Sequence, residues 1–461
     1  MLVSGPGSCA KSALMRSAFR ILFFEKNETA RFGASFDASA LRDRRIDRQD
    51  GTTVMTQIQA GWSSGPSTRY EDLAERFRPV FRDIRDGAAA RDHARRLPHA
   101  ELAALKEAGF TTLRLPPEEG GLGVSLPELF GLLIALSEGD PNVTNALRAH
   151  FGFTEDVLNS PHPGWRSQWL PRIAARETVG SGVSETGAAK VGSFDTVLKR
   201  RGDAYVLDGT KFYTTGSLFA DWIHLAAVDE AGQPVGAAVP RRAAGVTVLD
   251  DWDGFGQALT ASGTARFTDV AIEAAWVNPD PGRFRYAMAF YQLVHLATLA
   301  GIGRAASGDV ARLVSERIRV YSHGNAARTA DDPQVLQVVG RVRGAAYAAG
   351  AIVLKAAEAL QRVWEADRAG DGEGAAVAAT VADVEVNQAV TVVTGLVLDA
   401  TTQLFDALGA SATRRGLALD RHWRNARTIA SHNPRIYRDR TVGDFAVNGA
   451  APPRQYRVGQ A

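Results

Sequence analysis

Ala204-Tyr205-Val206-Leu207-Asp208-Gly209-Thr210-Lys211-Phe212-Tyr213-Thr214-Thr215-Gly216 is the stretch on which the reading of the fold turns. Residues on both sides of Asp208-Gly209 alternate with the period of a strand, and Asp-Gly is a strong turn dipeptide, so a β-hairpin is expected here. Short runs of the same kind follow, Trp222 to Val228 and Gly245 to Leu249, separated by Gly, Asp and Pro. Together they make residues 177–280 a β domain. The chain on either side has a different period. From Tyr70 the apolar residues recur three and four apart, as in Leu102, Leu105 and Phe110 and again in Leu126, Leu129, Phe130, Leu133 and Leu136, which predicts a helical domain over residues 66–176. Inside it, the prolines and glycines of Leu115 to Gly123 exclude regular helix and demand an ordered loop. Downstream, Met288 to Glu316, Val335 to Ala366 and Ala375 to Leu408 have the length and Ala/Leu content of bundle helices, with a turn at Asp367 to Gly374 and a last helix near Arg421. The expected fold class is α+β and multi-domain: an N-terminal helical domain, a middle β-barrel or sandwich domain, and a C-terminal four-helix bundle over residues 281–461.

Bulk properties narrow the partners. A chain of 461 residues can bury a large core, and 53 Lys+Arg against 51 Asp+Glu leave a formal charge of +2, so no global field favours nucleic acid or an anionic membrane. Cys9 is the single cysteine, which removes disulfides and cysteine-based metal sites and suits a cytoplasmic setting. None of the nine histidines has metal-site spacing, so no metal is expected. No uninterrupted apolar run approaches the ~20 residues that span a bilayer. Residues 1–65 mix Ser, Gly and Arg around one apolar patch, Ile21 to Phe24, and read as a disordered extension or an upstream translation start.

Four separated motifs carry the chemistry. The first is Glu101 to Phe110 leading into Leu115 to Gly123. Next come Gly182-Val183-Ser184-Glu185-Thr186-Gly187 and the Tyr205 to Gly216 stretch followed by Ala220-Asp221. The fourth joins Leu419-Asp420-Arg421-His422-Trp423-Arg424-Asn425-Ala426-Arg427-Thr428 to Ser431-His432-Asn433-Pro434 and Val447-Asn448-Gly449. In this order, over Tyr70 to Pro453, the chain resembles the acyl-CoA dehydrogenases, with Tyr213 where that family has Trp and Gly216 where it has Asn.

The resemblance implies a flavin enzyme, but one part of the family's chemistry is missing. Removing an α-proton from an acyl thioester needs a carboxylate base. At its usual place this chain has Ser431-His432-Asn433, with no carboxylate before Asp439, and the alternative helix, Arg283 to Ser307, holds no Asp or Glu. The fourth motif is similar instead to the branch of dibenzothiophene monooxygenase and sulfur-acquisition oxidoreductases. That resemblance implies reduced FMN delivered by a separate flavin reductase, O2 as co-substrate, transfer of one oxygen to a small, organosulfur-type substrate through a C4a-hydroperoxyflavin, and a homotetramer. It assigns proton handling to His432 and a flavin-side hydrogen bond to Ser184. Glu185, Thr186, Tyr213 and Thr215 join Ser184 at the flavin, Arg424 and Arg427 hold its phosphate, and Arg148, His150 and Phe151 meet substrate. Salt bridging for the two arginines and core or solvated positions for the last three are the plain structural alternatives. An FAD-dependent acyl-CoA dehydrogenase with an unrecognised base, and a non-catalytic flavin-binding paralogue, are the other readings.

Overall fold

The computed structural model describes residues 60–187, 193–279 and 282–453. The expectation for residues 1–65 therefore lies outside the described residues up to residue 59. From residue 60 the chain is already packed: the Trp62 ring lies 4.2 Å from the Arg343 guanidinium and 4.9 Å from that of Arg304.

Six helices open the fold: α1 (Tyr70–Ala94), α2 (His99–Glu107), α3 (Leu126–Gly139), α4 (Pro141–Ala146), α5 (Arg148–Asn159) and α6 (Pro163–Ala174). α3 starts where the sequence supplies a capping box, Ser125 taking the Glu128 N–H while the Glu128 carboxylate takes the Ser125 N–H. An eight-stranded sheet follows, built from β1 (Val179–Gly182), β2 (Val197–Arg201), β3 (Ala204–Lys211), β4 (Trp222–Val228), β5 (Pro234–Pro240), β6 (Val246–Val248), β7 (Ala265–Ile272) and β8 (Val277–Asn278). Its order is β6-β7-β3-β2-β4-β5-β8, with β1 added parallel to β4. The chain closes with α7 (Ala287–Glu316), α8 (Pro333–Arg368), α9 (Gly372–Gln403), α10 (Asp420–Ala430) and α11 (Arg438–Asn448). The three long helices fall where the sequence puts them, and α11 adds a helix beyond the one expected near Arg421.

The hairpin is displaced from its expected position. β3 runs unbroken through Asp208-Gly209, and the turn is Gly202-Asp203, between the paired Arg201 and Ala204. Asp208-Gly209 instead sits at a register shift against β7, where the Asp208 carboxylate accepts the Asp269 N–H at 2.8 Å and a side chain at Gly209 would run into Thr196. A bulge uses the same backbone freedom as a turn, so local sequence does not separate the two.

The two helical regions share one core. Phe130 and Leu133 of α3 pack with Phe290, Leu293 and Ala297 of α7, Leu360 of α8 and Val393 of α9, all essentially without exposed surface. Each Phe, Leu and Val among them contributes roughly 1.5–3 kcal/mol by leaving water. Gly301 lets α7 close on α3, because a Cβ there would collide with Ser137 and Ile134. The stretch Gly372–Ala407 is long and apolar enough to cross a membrane by composition, yet 61% of its 18-residue apolar part, of mean hydropathy 1.4, is buried against the protein. That is the profile of a core helix, and it was hidden from the search for uninterrupted apolar runs by the charges within it.

Candidate active site

The first part of the candidate site is a floor made by two adjoining segments of the sheet domain. Thr215 O accepts the Ser181 N–H (3.3 Å) and Ser184 O accepts the Phe212 N–H (3.0 Å), which lays the exit of β1 beside the exit of β3. The Glu185 carboxylate turns inward. It accepts from the Asp195 N–H (2.6 Å) and the Thr196 hydroxyl (2.7 Å) and pairs with Lys211, which is fully buried. Burial alone would raise the Glu185 carboxyl, but Lys211 and Thr196 hold it below its usual range. Glu185 thus pins the segment, while no described residue engages the hydroxyls of its neighbours, half-buried Ser184 and exposed Thr186.

Tyr213 projects from this floor with 48% of its surface exposed, its ring edge-on to Phe212 (4.8 Å) and Trp252 (6.0 Å). Its φ of 59° is a conformation an aromatic residue adopts only under constraint. The Thr215 hydroxyl is 2.7 Å from that of Ser262, which in turn is 2.6 Å from Thr260, a short chain of hydroxyls along the rim. Gly216, at φ 81°, touches the Ala146 carbonyl so closely that no Cβ fits. The departure from the family's Asn is therefore what lets this turn reach the start of α5, where Arg148 stands.

The wall is cationic and imidazole-rich. Arg148 donates from Nε to Tyr291 O (3.1 Å), and its guanidinium lies 4.8 Å from the centre of the Tyr291 ring. The Arg283 guanidinium lies 5.2 Å from the same centre. Burial lowers Arg148, although its side chain is only half-buried and it stays charged at neutral pH, and burial pushes Tyr291 up to about 12. Behind Arg283, burial raises the Asp156 carboxyl to about 7, against the pull of that guanidinium. One turn along α7 from Tyr291, the His295 ring lies 4.3 Å from that of His432 at the end of α10. His295 is 4% exposed, its Nε2 has no hydrogen-bond partner, and burial with the Arg148 charge holds it well below the ordinary histidine range. The same two causes lower His432, although that residue keeps an exposed face and solvent screens the effect. The two rings line a cleft of about 20 Å³, room for roughly one water-sized group.

Three other sequence candidates are committed elsewhere. His150 donates from Nε2 to Thr111 O (2.8 Å) inside the N-terminal helices, and burial pushes its ring down to about 4. It stands two residues after Arg148, on the opposite side of α5. Phe151 belongs to the shared core, edge-on to Phe110 at 5.8 Å. Arg424 grips Asp92 of α1 (2.5 Å), Asp420 (2.7 Å) and Phe255 O (3.1 Å), so its fork is filled by intrachain partners. Among the described residues Arg427 donates only to the Ser431 hydroxyl, at 3.2 Å, and keeps most of its donors. Sequence reasoning missed Tyr291, Arg283, His295 and Asp156. It searched the start of α7 for carboxylates, whereas the usable signal was Arg and His within an otherwise apolar helix.

This donor set fits a flavin. The sheet floor offers the hydroxyls of Ser184 and Thr186 and the outward ring of Tyr213, and the Glu185 carboxylate beside them is paired with Lys211.

Comparison with known proteins agrees with the geometry. The acyl-CoA dehydrogenase N-terminal domain model matches residues 69–177 and the acyl-CoA dehydrogenase C-terminal domain model matches residues 293–434. The probable FMNH2-dependent monooxygenase SfnC of Pseudomonas putida is 27% identical over 376 residues, covering 79% of this chain and 92% of that protein. The FMN-bound structure of TdsC, a dibenzothiophene monooxygenase of Paenibacillus sp. A11-2, superposes with a TM-score of 0.76 at 26% identity, over 83% of this chain and 98% of TdsC. The methanesulfinate monooxygenase MsuC of Pseudomonas fluorescens gives the same TM-score, identity and coverage. With two domain models matched in order across more than half of its length, the chain belongs to the acyl-CoA dehydrogenase family.

Proposed function

We propose that the chain is the oxygenase component of a two-component flavin system, taking reduced FMN from a separate reductase and inserting one atom of O2 into a small organosulfur substrate. One observation carries this reading: where an acyl-CoA dehydrogenase needs a carboxylate base, this chain has His432 against His295, and residues 283–307, which supply His295, hold no Asp or Glu. The descriptions of SfnC, TdsC and MsuC support it, and the FMN bound to TdsC supports FMN over FAD. Homotetrameric assembly belongs to the same reading.

When bound, reduced FMN supplies the two electrons that split O2, so that one oxygen reaches the substrate and the other leaves as water. Ser184, Thr186 and their backbone amides would meet the polar edge of the flavin ring, Tyr213 its face, Thr215 its rim and Arg427 its phosphate. His432, neutral at working pH, is suited to hold and return a proton at the oxygen being transferred. His295 is buried among the apolar side chains of α7, while His432 keeps a face open to solvent.

Mixing the chain and a substrate such as dibenzothiophene or methanesulfinate with reduced FMN and O2 tests this. Oxygenated product is expected, and in His432→Ala its rate falls roughly 10²–10⁴-fold while H2O2 takes over the electrons. If flavin reoxidises in the wild type as in free solution and no product forms, the reading fails. Bleaching of bound FAD by an acyl-CoA would put dehydrogenation in its place.

A further inference from the structure

We infer that His295 is the positioning residue of His432, a buried imidazole standing where a catalytic histidine ordinarily has a carboxylate to hold its ring. This rests on the monooxygenase reading of the same site and adds a second residue to its proton handling.

The two rings are in contact, their centres 4.3 Å apart and their planes inclined by 55°. Their surroundings differ: His295 is 4% exposed, whereas His432 is open to solvent. A histidine that takes up and returns a proton needs a partner that fixes its ring and accepts from the cation while it lasts, and that partner is usually a carboxylate. Among the described residues no carboxylate lines the cleft beside His432. The charged side chains that face it are cations: Arg148 of α5 and, beyond α10, Arg435 and Arg438, the last donating to Asn387 Oδ1 at 2.8 Å. α9 contributes Val390 and Thr394, which carry no charge. Asn433 favours the protonated ring through its side chain, but as the next residue in the chain it does not tie that ring to another element. His295, from α7, does.

Packing does not account for a histidine at this position. Its Nε2 has no hydrogen-bond partner although the residue is buried, and an orphaned polar atom in such a place costs stability that a Phe or Leu would not. An uncommitted nitrogen becomes useful once His432 is protonated, because a neutral imidazole offers its lone pair to the imidazolium N–H, directly or across the one water-sized space of the cleft. Burial keeps His295 from taking the proton for itself. The proton stays on the solvent-facing ring, from which it can be returned, and His295 supplies orientation without adding charge.

Carbethoxylation of His432 by diethyl pyrocarbonate in the flavin-free chain, followed by peptide mass spectrometry between about pH 5 and about pH 8, tests this without turnover, because the reagent attacks only the neutral ring. The midpoint of the rate profile should lie about 0.5–1 pH unit lower in His295→Phe than in the wild type, since the imidazolium loses its acceptor and solvent screens part of the effect. His295→Gln, which keeps an acceptor on a side chain of similar reach, should return most of that difference. The urea midpoint of His295→Phe is expected to match or exceed that of the wild type. Should Phe not fit, His295→Leu and His295→Gln give the same contrast between an apolar and a polar end. One rate midpoint shared by the wild type and the apolar variants overturns the proposal. So does a wild-type profile without a midpoint above about pH 5, because His432 would then never be the cation that needs holding. With reduced FMN, O2 and dibenzothiophene, His295→Phe should lower kcat roughly 10- to 100-fold with little change in KM, the cost of a misplaced catalytic group. An unchanged kcat beside an active wild type overturns the proposal as well. If the rate midpoint moves as expected but the wild type forms no oxygenated product, the imidazole pair stands and the monooxygenase reading is what fails.

Discussion

Glycine at residue 152 shows how a single missing atom shapes the site. The Tyr291 hydroxyl occupies the space a Cβ on Gly152 would fill, so the ring that carries both Arg148 and Arg283 can lie where it does only because α5 is bare at that point. Gly152→Ala is expected to push Tyr291 off this position at a cost of about 1–3 kcal/mol, the usual range for overpacking a filled site. Urea unfolding measures that loss. Full wild-type stability in Gly152→Ala would mean that the ring has somewhere else to go. The sequence displays the glycine but not its reason, because Tyr291 is 139 positions away and no local rule joins them.

At the scale of elements, α10 is the piece that ties the fold together. Arg421 and His422 both reach Asp309 on α7, at 2.8 and 2.9 Å, while Arg424 reaches Asp92 on α1. Asn425 accepts the Gln257 N–H at 2.6 Å, and Gly256 lets the sheet domain press against the Arg424 carbonyl. His432 sits at the end of this helix, so the ties that look purely structural also set the position of the imidazole pair. Asp309→Ala leaves Arg421 and the buried His422 without their partner. A loss of roughly 2–3 kcal/mol is expected, below the full cost of breaking a buried pair because Asp309 and Arg421 keep some solvent contact. Chemical denaturation checks the magnitude, and an unchanged midpoint would show that α10 is held by packing alone. The motif was legible as a family mark, yet Arg424, expected at a phosphate, is filled by carboxylates and a carbonyl of this chain. A guanidinium fork suits phosphate and carboxylate equally, and the carboxylate that fills Arg424 comes from the other end of the chain.

For the whole molecule, buried neutral histidines set the response to acid. Burial pushes both His150 and His422 down to about 4, with the Arg421 charge adding to the effect on His422 and Asp309 opposing it. In the unfolded chain the same rings titrate near 6.5. Below about pH 6.5 the unfolded state therefore binds protons that the folded state refuses. Stability is complete above that pH and is lost progressively as the pH falls toward about 4. Melting temperature should drop between about pH 7 and pH 5, before most carboxylates titrate, and a flat profile across that window would contradict the buried, neutral state of these rings.

Period and punctuation were enough to determine the order helical, β, helical, the three long bundle helices, the Leu115 to Gly123 loop and the absence of the family's carboxylate at Ser431-His432-Asn433, because each is written in neighbouring residues. The joining of two helical regions into one core, the use of Asp208-Gly209 as a bulge and the closing of Arg424 on Asp92 were decided by tertiary structure. So was the clustering of Arg148 on Tyr291 and of His295 on His432 along α7. Each depends on which distant group arrives opposite a side chain, and hydrogen bonding, ion pairing and burial are properties of the pair of groups that meet, which local sequence does not specify.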